Sequence, residues 1–128
     1  MTKRVVITGM GVVSPIGNDV NTFWNNLVNG VCGIDYIEEF PTENLPVKIA
    51  GKVKNFHPEE YGMDKPFIRK QDLFTQFGVA AAYQAMQQAG LVTEGEGKNI
   101  DPFRLGVYVG SGIGGFEIQY RETAKMID

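Results

Sequence analysis

Cysteine, histidine and tryptophan each occur once in the 128 residues, as Cys32, His57 and Trp24. A lone cysteine allows no internal disulfide, and a reducing, cytoplasmic setting is expected. One histidine and one cysteine also leave no metal-ligand cluster, and no cofactor is implied. No apolar run approaches the ~20 residues that a membrane span needs. The start has two basic residues, Lys3 and Arg4, followed by Val5, Val6 and Ile7. Thr8 and Gly9 interrupt that run too early for a signal peptide, so no membrane partner is expected. Basic excess is absent as well: Lys and Arg number 12 against 15 Asp and Glu, a net charge of -3. A general nucleic-acid role is therefore not expected. With 43% hydrophobic and 21% charged residues the composition is that of a globular chain.

Glycine is what the chain has in plenty, and its placement is informative. Gly110-Ser111-Gly112-Ile113-Gly114-Gly115 follows the apolar run Leu105 to Val109. Glycines packed this densely after a buried strand mark backbone that bends tightly or lies against something else. The chain ends soon afterwards, at Asp128, so the sequence reads as the front part of a larger protein.

Arg4 to Thr8 reads as a short buried strand closed by Gly9. Asn18 or Asp19 is placed to cap a helix in which Val20, Phe23, Trp24, Leu27 and Val28 form one apolar stripe, with Gly30 as its stop. Residues 31–46 read as connection. Val47, Ile49, Gly51 and Val53 alternate with polar neighbours, as in a strand with one wet face. Residues 55–70 read as polar and irregular, with Pro58 and Pro66 as breakers.

Asp72 to Ala89 is the strongest helix. Gln76, Ala80, Gln84 and Gln88 share one face; Gly78, Ala82, Ala85 and Ala89 share another, whose small side chains let a neighbouring backbone come close. Phe74 and Phe77 add bulk, and the helix is expected to lie deep in a layered structure, or against a partner. Residues 93–99 read as a solvated loop, 104–109 as a second buried strand, and 117–127 as a helix. The alternation of strands and helices predicts an α/β fold with parallel strands.

These residues offer several chemistries. Gly9-x-Gly11 after a strand resembles a dinucleotide fingerprint, but Ser14 and Pro15 stand where the third glycine and the helix should be. The 110–115 loop could cradle a phosphate, yet Phe116 and Glu117 replace the Lys and Ser/Thr of a P-loop. Cys32 lacks a cationic neighbour and reads as a small buried hydrophobe, not a nucleophile. His57, beside Pro58, reads as solvent-exposed. Glu38-Glu39 and Glu59-Glu60 read as solvated. Lys65, Arg69 and Lys70, beside Phe67 and Phe74, form either an ordinary wet surface or a docking patch for an acidic partner.

A chain-long series of motifs then converges. Arg4-Val5-Val6-Ile7-Thr8-Gly9-Met10-Gly11, Ser14-Pro15-Ile16-Gly17-Asn18, Phe23-Trp24, Gly33-Ile34 and Ala50-Gly51-Lys52-Val53 are followed by Arg69-Lys70-x-Asp72-x-Phe74-x-Gln76-Phe77, Ala89-Gly90-Leu91 and Gly110 to Gly115. In order and spacing this series resembles the start of a β-ketoacyl-acyl carrier protein synthase of the type II elongating kind. The resemblance implies an α/β, thiolase-like fold with layers α-β-α-β-α, of which residues 1–128 would be a partial N-terminal domain. It implies a homodimer and a decarboxylating Claisen condensation of an acyl chain with malonyl on acyl carrier protein. The family's catalytic cysteine and two histidines lie beyond the matched region, so no catalytic residue is expected in this chain. The resemblance assigns Ile113, with Gly112 and Gly114, to the acyl pocket, and Arg69, Lys70 and Lys65 to the acyl carrier protein. Gln71, where the family usually has methionine, is a departure, as are Pro66, Phe67 and Ile68. The other readings left open are a polyketide-type ketosynthase or chain-length partner, a nucleotide-binding α/β domain and a non-catalytic binding fragment.

Overall fold

The structure, a computed structural model, describes residues 2–92 and 98–127. Its elements in chain order are α1 (Val20–Val28), β1 (Ile34–Tyr36), β2 (Ile49–Gly51), a 3-10 turn at Pro58–Tyr61, α2 (Lys65–Lys70), α3 (Leu73–Ala89), a second 3-10 turn at Pro102–Arg104, and α4 (Phe116–Ile127). Residues 93–97, most of the expected solvated loop, lie outside the described residues.

Local signals decide the helices. Asp19 caps α1, its carboxylate accepting the Thr22 N–H at 2.9 Å. Hydrogen bonding to Thr22, first from its side chain and then from this N–H, holds the Asp19 carboxyl below its ordinary value. Gly90, at φ 65°, ends α3 in the left-handed conformation. Asn99 then folds back: its Nδ2 donates to the Gly90 carbonyl at 2.6 Å and its Oδ1 accepts the Val92 N–H at 2.9 Å.

α3 organises the described residues through the glutamine face. Met63 and Ala80 are the buried apolar side chains, Asp72 and Gln76 the buried polar ones. Asp72, Gln76, Ala80, Gln84 and Gln88 follow each other at four-residue steps along this one face. Gln88 Oε1 accepts the Met10 N–H at 2.6 Å. Gln84 accepts the Val12 N–H at 3.3 Å and donates from Nε2 to the carbonyls of Val12, at 3.1 Å, and Asn18, at 2.8 Å. The helix thus offers side-chain amides where a neighbouring strand would offer peptide groups. The small-residue stripe meets a close backbone at one end: a Cβ on Gly9 would run into the Ala85 carbonyl and lie 3.0 Å from the Ala89 nitrogen, whereas Gly78 has nothing within 4 Å. Beside the stripe, a Cβ on Gly11 would run into the Ala81 carbonyl.

The strand expectations need correction. Segments 4–8 and 104–109 form no strand, and Val5 and Val107 are 92% and 83% exposed. Such apolar strands exist only between partner strands and covering layers. Among the described residues neither segment finds either. The one sheet among the described residues pairs β1 with β2, antiparallel and not parallel, in the register Ile34–Gly51, Asp35–Ala50, Tyr36–Ile49. β1 lies in a stretch read as connection, and the 47–53 strand shortens to three residues. Ion pairs Lys54–Asp35 and Lys52–Glu39 flank the pair. α3, expected to lie deep, keeps only Gln76 and Ala80 buried.

Residues 55–70 are ordered, not irregular. Pro58 and Pro66 start helices instead of breaking them, because each sits in a first turn where no N–H is needed. Phe56 stacks on Tyr61, with centroids 5.6 Å apart, and meets Phe77 edge-on at 4.9 Å, which ties the 3-10 turn to α3. Burial pushes the Tyr61 phenol up, and its hydroxyl donates to the Asn18 carbonyl at 3.1 Å.

Candidate acyl-loop and carrier-docking site

The basic residues sit on α2. Asp64 caps it, accepting the Phe67 N–H at 2.8 Å. Lys65 and Arg69, four residues apart, share one face, and Lys70 lies beside them. Arg69 and Lys70 occupy the last turn, where the helix dipole favours cations. All three are exposed, and among the described residues none is held in an ion pair. Their charge therefore faces solvent and is available to an acidic partner.

The helix they ride on is held from below. Gln76 Nε2 donates to the carbonyls of Ile68, at 3.1 Å, and Gln71, at 2.8 Å. Carbonyls at a helix C-terminus otherwise lack partners, so a buried side chain of α3 sets the angle at which α2 leaves it. Arg69 also borders a surface cavity of about 390 Å³ shared with Phe56, Asp72, Glu117 and Arg121.

The glycine loop approaches the same place from the other side. A Cβ on Gly114 would stand 2.8 Å from the ring carbons of Phe74. Gly115 has a φ of 78°, which glycine alone adopts without strain. Ile113 is 77% exposed and Gly112 is exposed. Behind the loop is a cavity of about 420 Å³, lined by Phe74, Gly78, Ala82, Val107, Val109 and Gly110 among others. α2 and the loop meet at Asp72 to Phe74, a convergence that sequence reasoning missed. The only signal for it was the short interval between Lys70 and Phe74.

The other candidate residues lie apart. Cys32 is exposed, not a buried hydrophobe, with Sγ 3.8 Å from the Ile34 carbonyl. It follows Val31 in the open turn between α1 and β1, where nothing packs over it. His57 is exposed, as expected, before the Pro58 turn. Among the described residues no group of three or more His, Cys, Asp or Glu gathers to hold a metal. Nor is any described helix long and apolar enough to cross a membrane.

Comparison with known proteins gives the family. A family model described as "Beta-ketoacyl synthase, N-terminal domain" matches residues 2–127. A 3-oxoacyl-[acyl-carrier-protein] synthase 2 of Staphylococcus aureus (strain COL) is 48% identical over 124 residues, covering 94% of this chain and 28% of that protein. One from Vibrio cholerae serotype O1 is 47% identical over 116 residues, covering 91% of this chain and 27% of that protein. The chain thus spans just over a quarter of the length of these relatives. Among solved structures, the ishigamide ketosynthase/chain length factor matches with a TM-score of 0.61 and 34% identity, over 69% of this chain and 22% of that one.

Proposed function

This chain belongs to the β-ketoacyl synthase family, with its α/β thiolase-like fold, and on that footing we propose that it is the partial N-terminal domain of a 3-oxoacyl-[acyl-carrier-protein] synthase. The reaction is the extension of an acyl chain in fatty-acid synthesis. The acyl group passes to a cysteine, malonyl on acyl carrier protein loses CO2, and the carbanion formed attacks the acyl thioester. In the family this chemistry belongs to a cysteine and two histidines beyond the matched residues. The present residues would supply recognition. Arg69, Lys70 and Lys65 would meet the acidic carrier protein, and Ile113, with Gly112 and Gly114, would bound the acyl pocket. The enzyme would act in the cytoplasm as a homodimer.

The observation that carries the reading is the identity of 48% along nearly the whole chain to a 3-oxoacyl-[acyl-carrier-protein] synthase 2, with the basic helix and the glycine loop meeting at one segment. The same identity favours fatty-acid elongation over the polyketide alternative, since the ketosynthase/chain length factor stands at 34%.

The test is charge reversal in a full-length synthase carrying this sequence. Arg69→Glu with Lys70→Glu should raise KM for acyl-acyl carrier protein at least about tenfold while leaving KM for a small acyl thioester within about twofold, because steering acts on the charged partner alone. Equal effects on both substrates, or a carrier-protein KM indifferent to salt, would overturn the docking role.

A further inference from the structure

Asp72 is the one buried carboxylate of the described residues, 7% exposed, and its bonding is unusual. It occupies the N-cap of α3, where its backbone carbonyl accepts from Thr75 at 3.0 Å and Gln76 at 3.2 Å. Its side chain makes no capping bond to α3. Oδ1 instead accepts the Ile118 N–H at 3.2 Å, in the first turn of α4. Oδ2 is fully buried without a partner, 3.6 Å from where a Gly115 Cβ would stand. One carboxylate therefore serves the start of a helix other than its own, and α4 starts directly after the glycine loop. Two residues on, the Phe74 ring supports Gly114.

We propose that Asp72 is a positioning residue for acyl selection: its carboxylate anchors the N-terminus of α4 and, with Phe74 beneath Gly114, sets where the loop presents Ile113. The inference rests on the reading that this loop bounds the acyl pocket. Ile113 is 77% exposed, so its place is set mainly by the two ends of the loop. The C-terminal end is held by Asp72. The same residue lies two positions after Lys70, so the loop is referenced to the helix on which the carrier protein would dock.

The test uses a full-length synthase carrying this sequence, assayed with short- and long-chain acyl-acyl carrier protein and followed by amide exchange over residues 115–119. Asp72→Ala should shift the long-to-short ratio of kcat/KM about tenfold and speed exchange at Ile118 by a similar factor, the loss expected for a helix cap. Asp72→Asn keeps an acceptor of the same shape and should hold both readouts within about threefold, since a neutral carbonyl still caps. Gly114→Ala, which pushes the loop off Phe74 with Asp72 intact, should shift the ratio too, and it serves if Asp72→Ala does not fold. An unchanged ratio and unchanged exchange in Asp72→Ala, or a uniform fall for all chain lengths that Asn fails to rescue, would overturn the proposal. Ile113→Phe is the reference. If it shifts the ratio and Asp72→Ala does not, the positioning role alone fails; if Ile113→Phe changes nothing, the pocket reading fails and the positioning role with it.

Discussion

Replacing Gln84 tests the idea that α3 stands in for a strand partner of the 10–12 segment. Its amide makes three bonds: one accepted from Val12 N–H, and two donated, to the Val12 and Asn18 carbonyls. Gln84→Leu removes them all. The Asn18 carbonyl keeps the Tyr61 hydroxyl at 3.1 Å, so the loss there is small. Both peptide groups of Val12 lose the partner they have. A half-buried backbone group left unpaired costs about 1–3 kcal/mol, and water reaching this site holds the total near 2 kcal/mol. At about 1.4 kcal/mol per factor of ten, amide exchange over residues 9–18 should speed up roughly 30-fold in a full-length synthase carrying the change. Gln84→Glu keeps the acceptor but faces two carbonyls with a carboxylate in place of a donor. It should therefore exchange at least as fast as the leucine variant, and hydrogen-exchange mass spectrometry resolves both. Acceleration below about threefold in Gln84→Leu would refute the reasoning, because a net hydrogen bond of typical strength exceeds that.

A glycine pair separates close packing from backbone entropy. Gly11→Ala should lower the thermal midpoint because its Cβ meets the Ala81 carbonyl, whereas Gly78→Ala, exposed within α3 with nothing within 4 Å, should stabilise by ~0.5–1 kcal/mol; equal effects would dismiss the backbone contact. Glu39 is held below the usual carboxylate range, first by its hydrogen bond from Lys52. A depressed folded pKa means that this interaction is fully present above the unfolded value of about 4.3 and is lost as pH falls through the folded one. Lys52→Met should return Glu39 to the ordinary range in an NMR titration, and an unmoved Glu39 would show that the pair is not formed in solution. The isolated 128-residue chain should not condense acyl- with malonyl-acyl carrier protein. Turnover that Cys32→Ala abolishes would refute this and make the exposed thiol a nucleophile.

What could be read in advance and what could not divides by the range of the forces involved. The Asp19 cap, the Gly90 stop, and the spans of α1, α3 and α4 follow from side-chain periodicity and groups a few residues apart, so they were legible. Pro58 and Pro66 were misread because proline ends one element and begins another with equal ease; only the acidic neighbour at Asp64 marked a start. The 4–8 and 104–109 segments were misread for a different reason. Their β-branched runs report a preference for a covered sheet, but a strand is a property of at least two segments, and only pairing partners turn the preference into structure. The candidate site shows both cases at once. Lys65, Arg69 and Lys70 were legible as a basic group because they lie within a few residues of one another, although the helix that carries them was not. The anchor at Asp72 was not, because its carboxylate leaves its own helix and reaches Ile118, across an interval of 46 residues. The same holds for the glutamine face of α3, whose spacing was visible while its partners at Met10, Val12 and Asn18 were not. A row of amides at four-residue steps on a helix is therefore better read as a set of backbone clamps awaiting an extended segment than as an exposed polar face.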